Sequence, residues 1–419
     1  MNVRHLLALA APLLVVAVGT PMYTYYSAGP TASVDTSAAA QTPAKDPYAL
    51  QVGTGPDAAA LAGLAGRLET TGLPALLAAG GGGRGEWDGD CGGAAGVPQG
   101  ARVFCFGAAG GAASGWRPHG VTGASDARAD GRWGAYRPLL VAWSDEDGKS
   151  PHRSVRVTFV NDRNGAYHHA LLVWPYRDSR GRPTYEPIGT RGKGAAGTSA
   201  GGIAWYGNRL YLADGGTGIR VFDMRRILDL GKSRAGATAR PGLVGLNGRK
   251  YYGHGHRYVM PQVYSYVPAK KSGASCTGEG TPNHSWLAVD RTGGDRLVTG
   301  ERCGNGEGRV AAFPLADGSS DLATDGGGLA TPSTVARLPA SHVQGGAVSG
   351  GTWWFARGAG QRGELIQARL TGRGFERTGG RAAASGAADL YCGRGTGRLW
   401  TVAGHAGRHV LYGTARSEC

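Results

Sequence analysis

The sequence lacks the local signatures of most nucleotide-dependent and nucleophilic enzymes. It holds no P-loop, and glycine-rich pieces such as residues 80–83 precede no suitable helix, so neither a phosphate nor a dinucleotide cradle is indicated. The G-x-S-x-G pattern around Ser199 opens a strand pattern with no helix after the serine, the wrong setting for a nucleophile elbow. No C-x-x-C pair occurs, which argues against a zinc or dithiol redox centre. Runs of five or six basic residues are missing, which counts against nucleic acid as a partner. Strict collagen-like repeats are absent as well, although glycine numbers 76.

What the sequence does hold is lopsided charge, a leader and six cysteines. Lys and Arg number 45 against 30 Asp and Glu, a net charge of +15 carried mostly by arginines scattered through turns. Such a surface favours acidic partners, anionic glycans or cell-wall polymers among them, and is equally the pattern of an ordinary solvated face. Arg4 precedes an apolar run at residues 6–18, and no charge returns until Asp35. Residues 1–28 therefore read as a signal peptide or an N-terminal membrane anchor, with Tyr23, Tyr25 and Tyr26 suited to a membrane interface. The expected location is secreted or held on the outer face of the cell membrane, with no other membrane contact. Residues 29–56 read as a flexible spacer, rich in Ala, Thr, Ser and Pro as far as Tyr48. Residues 57–115 follow as a helical, disulfide-linked segment, its helix capped by Asp57 with Leu61, Leu64 and Leu68 on one face. Six cysteines in an exported chain imply disulfides, and of the fifteen pairings sequence proximity favours Cys91–Cys105, Cys276–Cys303 and Cys392–Cys419.

Residues 201–224, GGIAWYGNRLYLADGGTGIRVFDM, organise the rest. Ile203 and Trp205, Leu210 and Leu212, and Ile219 and Val221 each alternate with their neighbours, and Gly207-Asn208 and residues 214–217 supply turns. That is an antiparallel meander. A lone three-stranded meander buries little and needs neighbours on its faces. Looser versions recur as DRLVTGERCGNGEGRVAAF, GTWWFARGAGQRGELIQARL and GRLWTVAGHAGRHVLYG. A complete four-strand unit reads at 119–126, 138–145, 155–162 and 167–174, and a third unit is read as opening at 258–267, with a start at Asn283-His284 as the alternative that would put His284 in place of Gln262 at the channel mouth. The expected fold is all-β, a β-propeller of about five (at most six) antiparallel blades over residues 116–419, monomeric. A β-sandwich with long insertions is the competing fold.

The segments "GGIAWYGNRLYLADGGTGIRVFD", "YVMPQVYSYVP" and "VQGGAVSGGTWWFA" resemble exported β-propeller-like proteins of GC-rich Gram-positive bacteria, from about Trp116 to the C-terminus. The "NRLYLAD…GIRVFD" grammar is more distantly similar to NHL and SMP-30/gluconolactonase-type propellers. The first resemblance implies export and a propeller. The second implies a metal-bound lactonase site, whose acidic and asparagine ligands find no residue-by-residue match in this sequence.

The first strand of every propeller blade lines the channel, so the residues that begin those strands converge. On this reading His119, Gln262, Gln344 and Asp389, with His342 beside Gln344, meet at one channel mouth as a site for a small polar ligand. The same groups serve equally as solvated channel lining. His254 and His256, placed two apart on one strand face with His284 as a third donor in space, outline a site for a divalent metal. Neither set firmly implies a cofactor. Two functions stay open: an extracellular binding module for an anionic glycan, a wall polymer or a small polar ligand, and a secreted hydrolase or lyase acting on a carbohydrate or lactone.

Overall fold

The computed structural model describes residues 43–91, 96–107, 115–145, 154–189, 200–273, 275–276, 279–304, 306–359, 362–405 and 408–419. The leader and Ser199 lie outside them. Residues from Ala40 to Cys419 form one compact unit.

Alternation and glycine turns give five antiparallel meanders among the described residues. The first runs through Trp116–Gly123, Leu139–Asp145, Val155–Val160 and Ala166–Arg177. The second joins Ile203–Tyr206, Arg209–Ala213 and Ile219–Asp223 to Tyr258–Pro268. The third is Trp286–Asp290, Arg296–Gly300, Arg309–Pro314 and Thr334–Arg337, and the fourth spans Val343–Ser349 to Gly374–Ala383. The fifth, Ala387–Gly393, Arg398–His405 and Arg408–Ala415, is completed by Arg102–Cys105 and Glu86–Trp87 from the other end of the chain.

The five leading strands pack side by side in a ring, and the last, Ala387–Gly393, returns against the first, Trp116–Gly123. Between each pair of neighbouring sheets lies one apolar core. Phe159 and Leu172 meet Trp205 and Leu212, Tyr211 and Val221 meet Leu287 and Phe313, and Trp286 and Val298 meet Trp353 and Phe355. Trp354 and Leu365 meet Leu390 and Leu399, and Trp400 and Leu411 meet Val141 and Trp143, which closes the circle. This is a β-propeller. Both faces of each sheet are covered, so Trp353 and Trp354 point opposite ways and are both buried. At about 1.5–3 kcal/mol for each large side chain removed from water, these inter-sheet cores hold the ring together.

The three disulfides are Cys91–Cys105, Cys276–Cys303 and Cys392–Cys419, as sequence proximity favours. The helix forms over Ala58–Ala65, with Asp57 accepting from the Ala59 and Ala60 N–H groups. No helix among the described residues is long and apolar enough to cross a membrane.

Several expectations need correction. Tyr258–Pro268 does not open the third sheet; it is the outer strand of the second, paired antiparallel with Ile219–Asp223 and parallel with Ala166–Arg177. Residues 46–52, expected within the spacer, are ordered because Tyr48 and Leu50 are buried and Leu50–Val52 pairs with Tyr258–Pro268. Ile227–Asp229 is a short strand paired with Tyr258–Pro268. Within the segment expected to be helical, Arg102–Cys105 is an outer strand of the fifth sheet.

Candidate functional site

At the end of the ring where the leading strands begin lies a cavity of about 180 Å³, lined by His119, Ala200, Gly201, Gly215, Asn283, His284, Ser285, Arg302, Gln344 and Ala388. These residues come from all five sheets, most of them at or just before the first strands and Gly215 and Arg302 just after second strands, so the cavity sits on the ring axis.

Its best-defined side chain is His284, in the segment Asn283-His284-Ser285 that leads into Trp286–Asp290. His284 exchanges backbone hydrogen bonds with Gly215 (2.9 and 3.1 Å), and Ser285 Oγ accepts from the Arg302 N–H at 3.1 Å. Beneath it, Glu301 accepts from the Asn283 N–H (3.2 Å) while its carboxylate is held by Arg309, the two side chains each 1% exposed. His284 Nδ1 lies 3.1 Å from Thr299 Oγ1, and Nε2 meets no protein partner. Burial moves its pKa down to about 4, with Arg309 adding to the shift against the pull of Glu301, so the imidazole is neutral at physiological pH. Gln344 Nε2 donates to the Gly358 carbonyl at 3.0 Å, which fixes the carboxamide. Arg302 supplies the positive charge, and no carboxylate is among the described residues that line the cavity.

Of the residues predicted to meet at the mouth, the structure brings together His119 and Gln344. Gln262 is elsewhere: it is fully buried, accepting from Arg220 Nη1 at 2.9 Å and donating to the Tyr264 carbonyl at 3.1 Å. Its displacement follows from the strand register, because Tyr258–Pro268 is an outer strand. His284 holds the corresponding place in the third sheet. Asp389 reaches the axis but not the cavity. It is 0% exposed, and its Oδ2 accepts from the N–H groups of Val121 (3.0 Å) and Ile203 (3.1 Å), tying three leading strands together. A bulge and a left-handed φ of 47° turn it inward. Neighbouring strands approach so closely there that a Cβ on Gly345 would sit 2.2 Å from the Asp389 Cα. Burial pushes the Asp389 carboxyl well above its ordinary range. His342 is half-buried, with Nδ1 3.1 Å from Ser341 Oγ, and is not among the cavity's lining residues.

The proposed metal donors do not assemble. His254 and Gly255 have positive φ values in a turn after Lys250–Gly253, so His254 and His256 share no strand face. His256 packs against Trp116 and His169, whereas His284 faces Tyr48. The donor atoms that do cluster among the described residues belong to Cys276, Glu301 and Cys303. Both of those sulfurs are joined in a disulfide and the carboxylate is taken by Arg309, which leaves a metal no free charge there.

The opposite end of the axis is closed by side chains. Arg394 follows the fifth leading strand, binds Asp126 at 2.6 Å, and donates to the carbonyls of Val289 and Val348, the latter at 3.0 Å. One guanidinium thereby joins four sheets. Sequence reasoning missed Arg394, Arg302 and Ser285, while Asn283-His284 entered it as the alternative start of the third unit. The one available signal was the polar N-H-S triplet directly before the apolar run WLAVD.

No protein-family model matches the chain, and no curated protein sequence matches it. Solved structures with similarity include a Thermus thermophilus protein described as an oxidoreductase (glucose dehydrogenase), at 14% identity and TM-score 0.32, covering 71% of this chain and 95% of that one. The β-propeller domain of Cps50 (Swd1) from Myceliophthora thermophila aligns at 11% identity and TM-score 0.30, over 83% of this chain and 99% of that one. The holo pyranose dehydrogenase PQQ domain from Coprinopsis cinerea aligns at 11% identity and TM-score 0.31, over 76% and 96%. At such scores they say nothing about activity, and the propeller assignment rests on the closed ring of sheets and its inter-sheet cores.

Proposed function

We propose that this is an exported binding protein whose axial cavity holds a small hydroxylated ligand with an anionic end, such as an acidic sugar or the end of an anionic wall polymer. The observation that carries this reading is the composition of the cavity. A neutral imidazole with an unpartnered Nε2, an oriented carboxamide, Asn283 and Ser285 can bond hydroxyl groups, while Arg302 can pair with a carboxylate and no acidic side chain among the described lining residues opposes it. All stand on elements anchored by the ring, so little is lost in ordering them. The net charge of +15 favours approach of such a ligand. Export follows from the Arg4 leader pattern and suits the three disulfides.

Galacturonate titrated calorimetrically into the purified protein tests the reading. Binding should weaken at least about tenfold in His284→Ala and in Arg302→Gln, each removing a buried or charged contact. Unchanged binding in both variants places the ligand elsewhere. The rival hydrolase reading lacks a carboxylate pair in the cavity, and its acid–base chemistry falls to His119 and His284. Chromatographic release of products from polygalacturonate or from an aldonolactone would favour that reading over simple binding.

A further inference from the structure

Most partly or fully buried arginines of this protein have a carboxylate. Arg209, Arg220, Arg257, Arg309 and Arg394 are each paired with an Asp or Glu at 2.6–2.9 Å. Arg102, Arg137 and Arg398 are half-buried and have no such partner among the described residues. All three line one cavity of about 170 Å³ between the first and fifth sheets. It is distinct from the axial cavity and lies on the side where the leading strands end, beside Arg394.

Two of the three guanidiniums are placed by other contacts. Arg102 lies over the Trp87 ring at 4.4 Å, and Arg398 Nη1 donates to the Gly413 carbonyl at 3.2 Å. Arg137 is anchored through its backbone N–H, which donates to Asp162 Oδ1 at 2.9 Å, and Asp162 is the single carboxylate among the described residues lining the cavity. Arg394 is the fourth arginine, already neutralised by Asp126 behind it. The cavity therefore carries an excess of two positive charges. Trp87 and Trp400 form an apolar side, which strengthens any ion pair made against it, and the Trp87 indole N–H meets no protein acceptor.

We infer that this cavity is a second binding site, for a phosphate group. A carboxylate offers two oxygens and one charge, which a single arginine fork satisfies. Arg102, Arg137 and Arg398, none in an ion pair among the described residues and lining one cavity with an excess of two positive charges, call for an anion with more oxygens and more than one charge, and a tetrahedral phosphate provides both. The volume leaves room beyond the phosphate for the first atoms of an ester. The same chemistry is offered by free phosphate and by the phosphodiester of a wall polymer.

Calorimetric titration of the folded, disulfide-intact protein with inorganic phosphate and with a short glycerol phosphate oligomer tests this and separates the two sources. Tighter binding of the oligomer assigns the site to polymer, and equal binding assigns it to the free ion. Phosphate binding should fall at least about tenfold in Arg137→Gln/Arg398→Gln and less in the Lys/Lys pair, which keeps charge but loses the forks. Arg302→Gln, in the axial cavity, should leave phosphate binding unchanged, which keeps this site separable from the galacturonate site. An independent readout needs no variant: phosphate should slow phenylglyoxal modification of Arg137 and Arg398, mapped by peptide mass. Absence of any phosphate binding, equal modification rates with and without phosphate, or loss of binding only in Arg302→Gln each overturns the inference.

Discussion

Replacing Glu301 by glutamine should be among the most damaging single changes near the axial cavity. Glu301 and Arg309 are each 1% exposed, and the carboxylate accepts from Arg309 Nε (2.8 Å), Arg309 Nη2 (2.9 Å) and the Arg309 N–H (3.0 Å). Its Oε1 also accepts from the N–H groups of Cys276 and Asn283, both at 3.2 Å. A glutamine has the same shape but presents an NH₂ group where one oxygen stood. At that position donor faces donor, and Arg309 keeps its charge in the interior. Breaking a buried pair from one side costs about 3–5 kcal/mol, far more than an exposed ion pair. Urea unfolding with disulfides intact should show that loss. Removing both charges, as Glu301→Met/Arg309→Met, should recover much of it, because the stranded charge is gone. A Glu301→Gln protein within about 1 kcal/mol of the parent would refute the reasoning, since that is the range of a solvated surface pair.

Asp389→Ala should destabilise the ring by about 2–4 kcal/mol, because the Val121 and Ile203 N–H groups lose their acceptor, whereas Asp389→Asn keeps an oxygen there and should cost less; thermal unfolding compares them. Acid should weaken the fold through buried histidines. His284 and His409 have pKa values lowered to about 4 and His256 to about 3, mainly by burial, so the unfolded chain takes up protons first. Stability should therefore fall as pH drops from about 6.5 towards 4, and His284→Gln should flatten part of that slope in urea titrations at successive pH values. Glu301 acts lower: its depressed pKa gives stability that is complete above the ordinary glutamate range and lost as pH falls through the folded value. Non-reducing peptide mapping should return the three local disulfides, and Cys276→Ala/Cys303→Ala, opening a loop with sequence separation 27, should cost about 3–4 kcal/mol.

Much of the architecture was legible because alternation and turn glycines are local signals. The strands of the first, fourth and fifth sheets fall where period-two patterns and turns place them. The third sheet was misread for a physical reason. Tyr258–Pro268 alternates as well as any leading strand, and nothing in its own residues records that it pairs with Ile219–Asp223 rather than opening a new sheet. That single register error exchanged Gln262 for His284 in the expected site. Asp389 was placed at the axis correctly but its role was not, because only the structure shows two backbone N–H groups aimed at its carboxylate. Arg394 and the Arg102, Arg137, Arg398 group were illegible for a different reason: arginine is abundant throughout, and pairing depends on contacts between residues as much as 268 positions apart.

The fifth sheet is sewn from both ends of the chain, Glu86–Trp87 and Arg102–Cys105 lying outside Arg408–Ala415. The ring therefore cannot latch until Arg408–Ala415 has been made. Loop closure over more than 300 residues is slow, and strands made early must wait with open edges. For a chain sent across a membrane before it folds, that delay is an advantage. On the proposed export, the polypeptide would stay threadable while it is being made, and the latch strands would meet only on the far side, where Cys91–Cys105 and Cys392–Cys419 would fasten them in place.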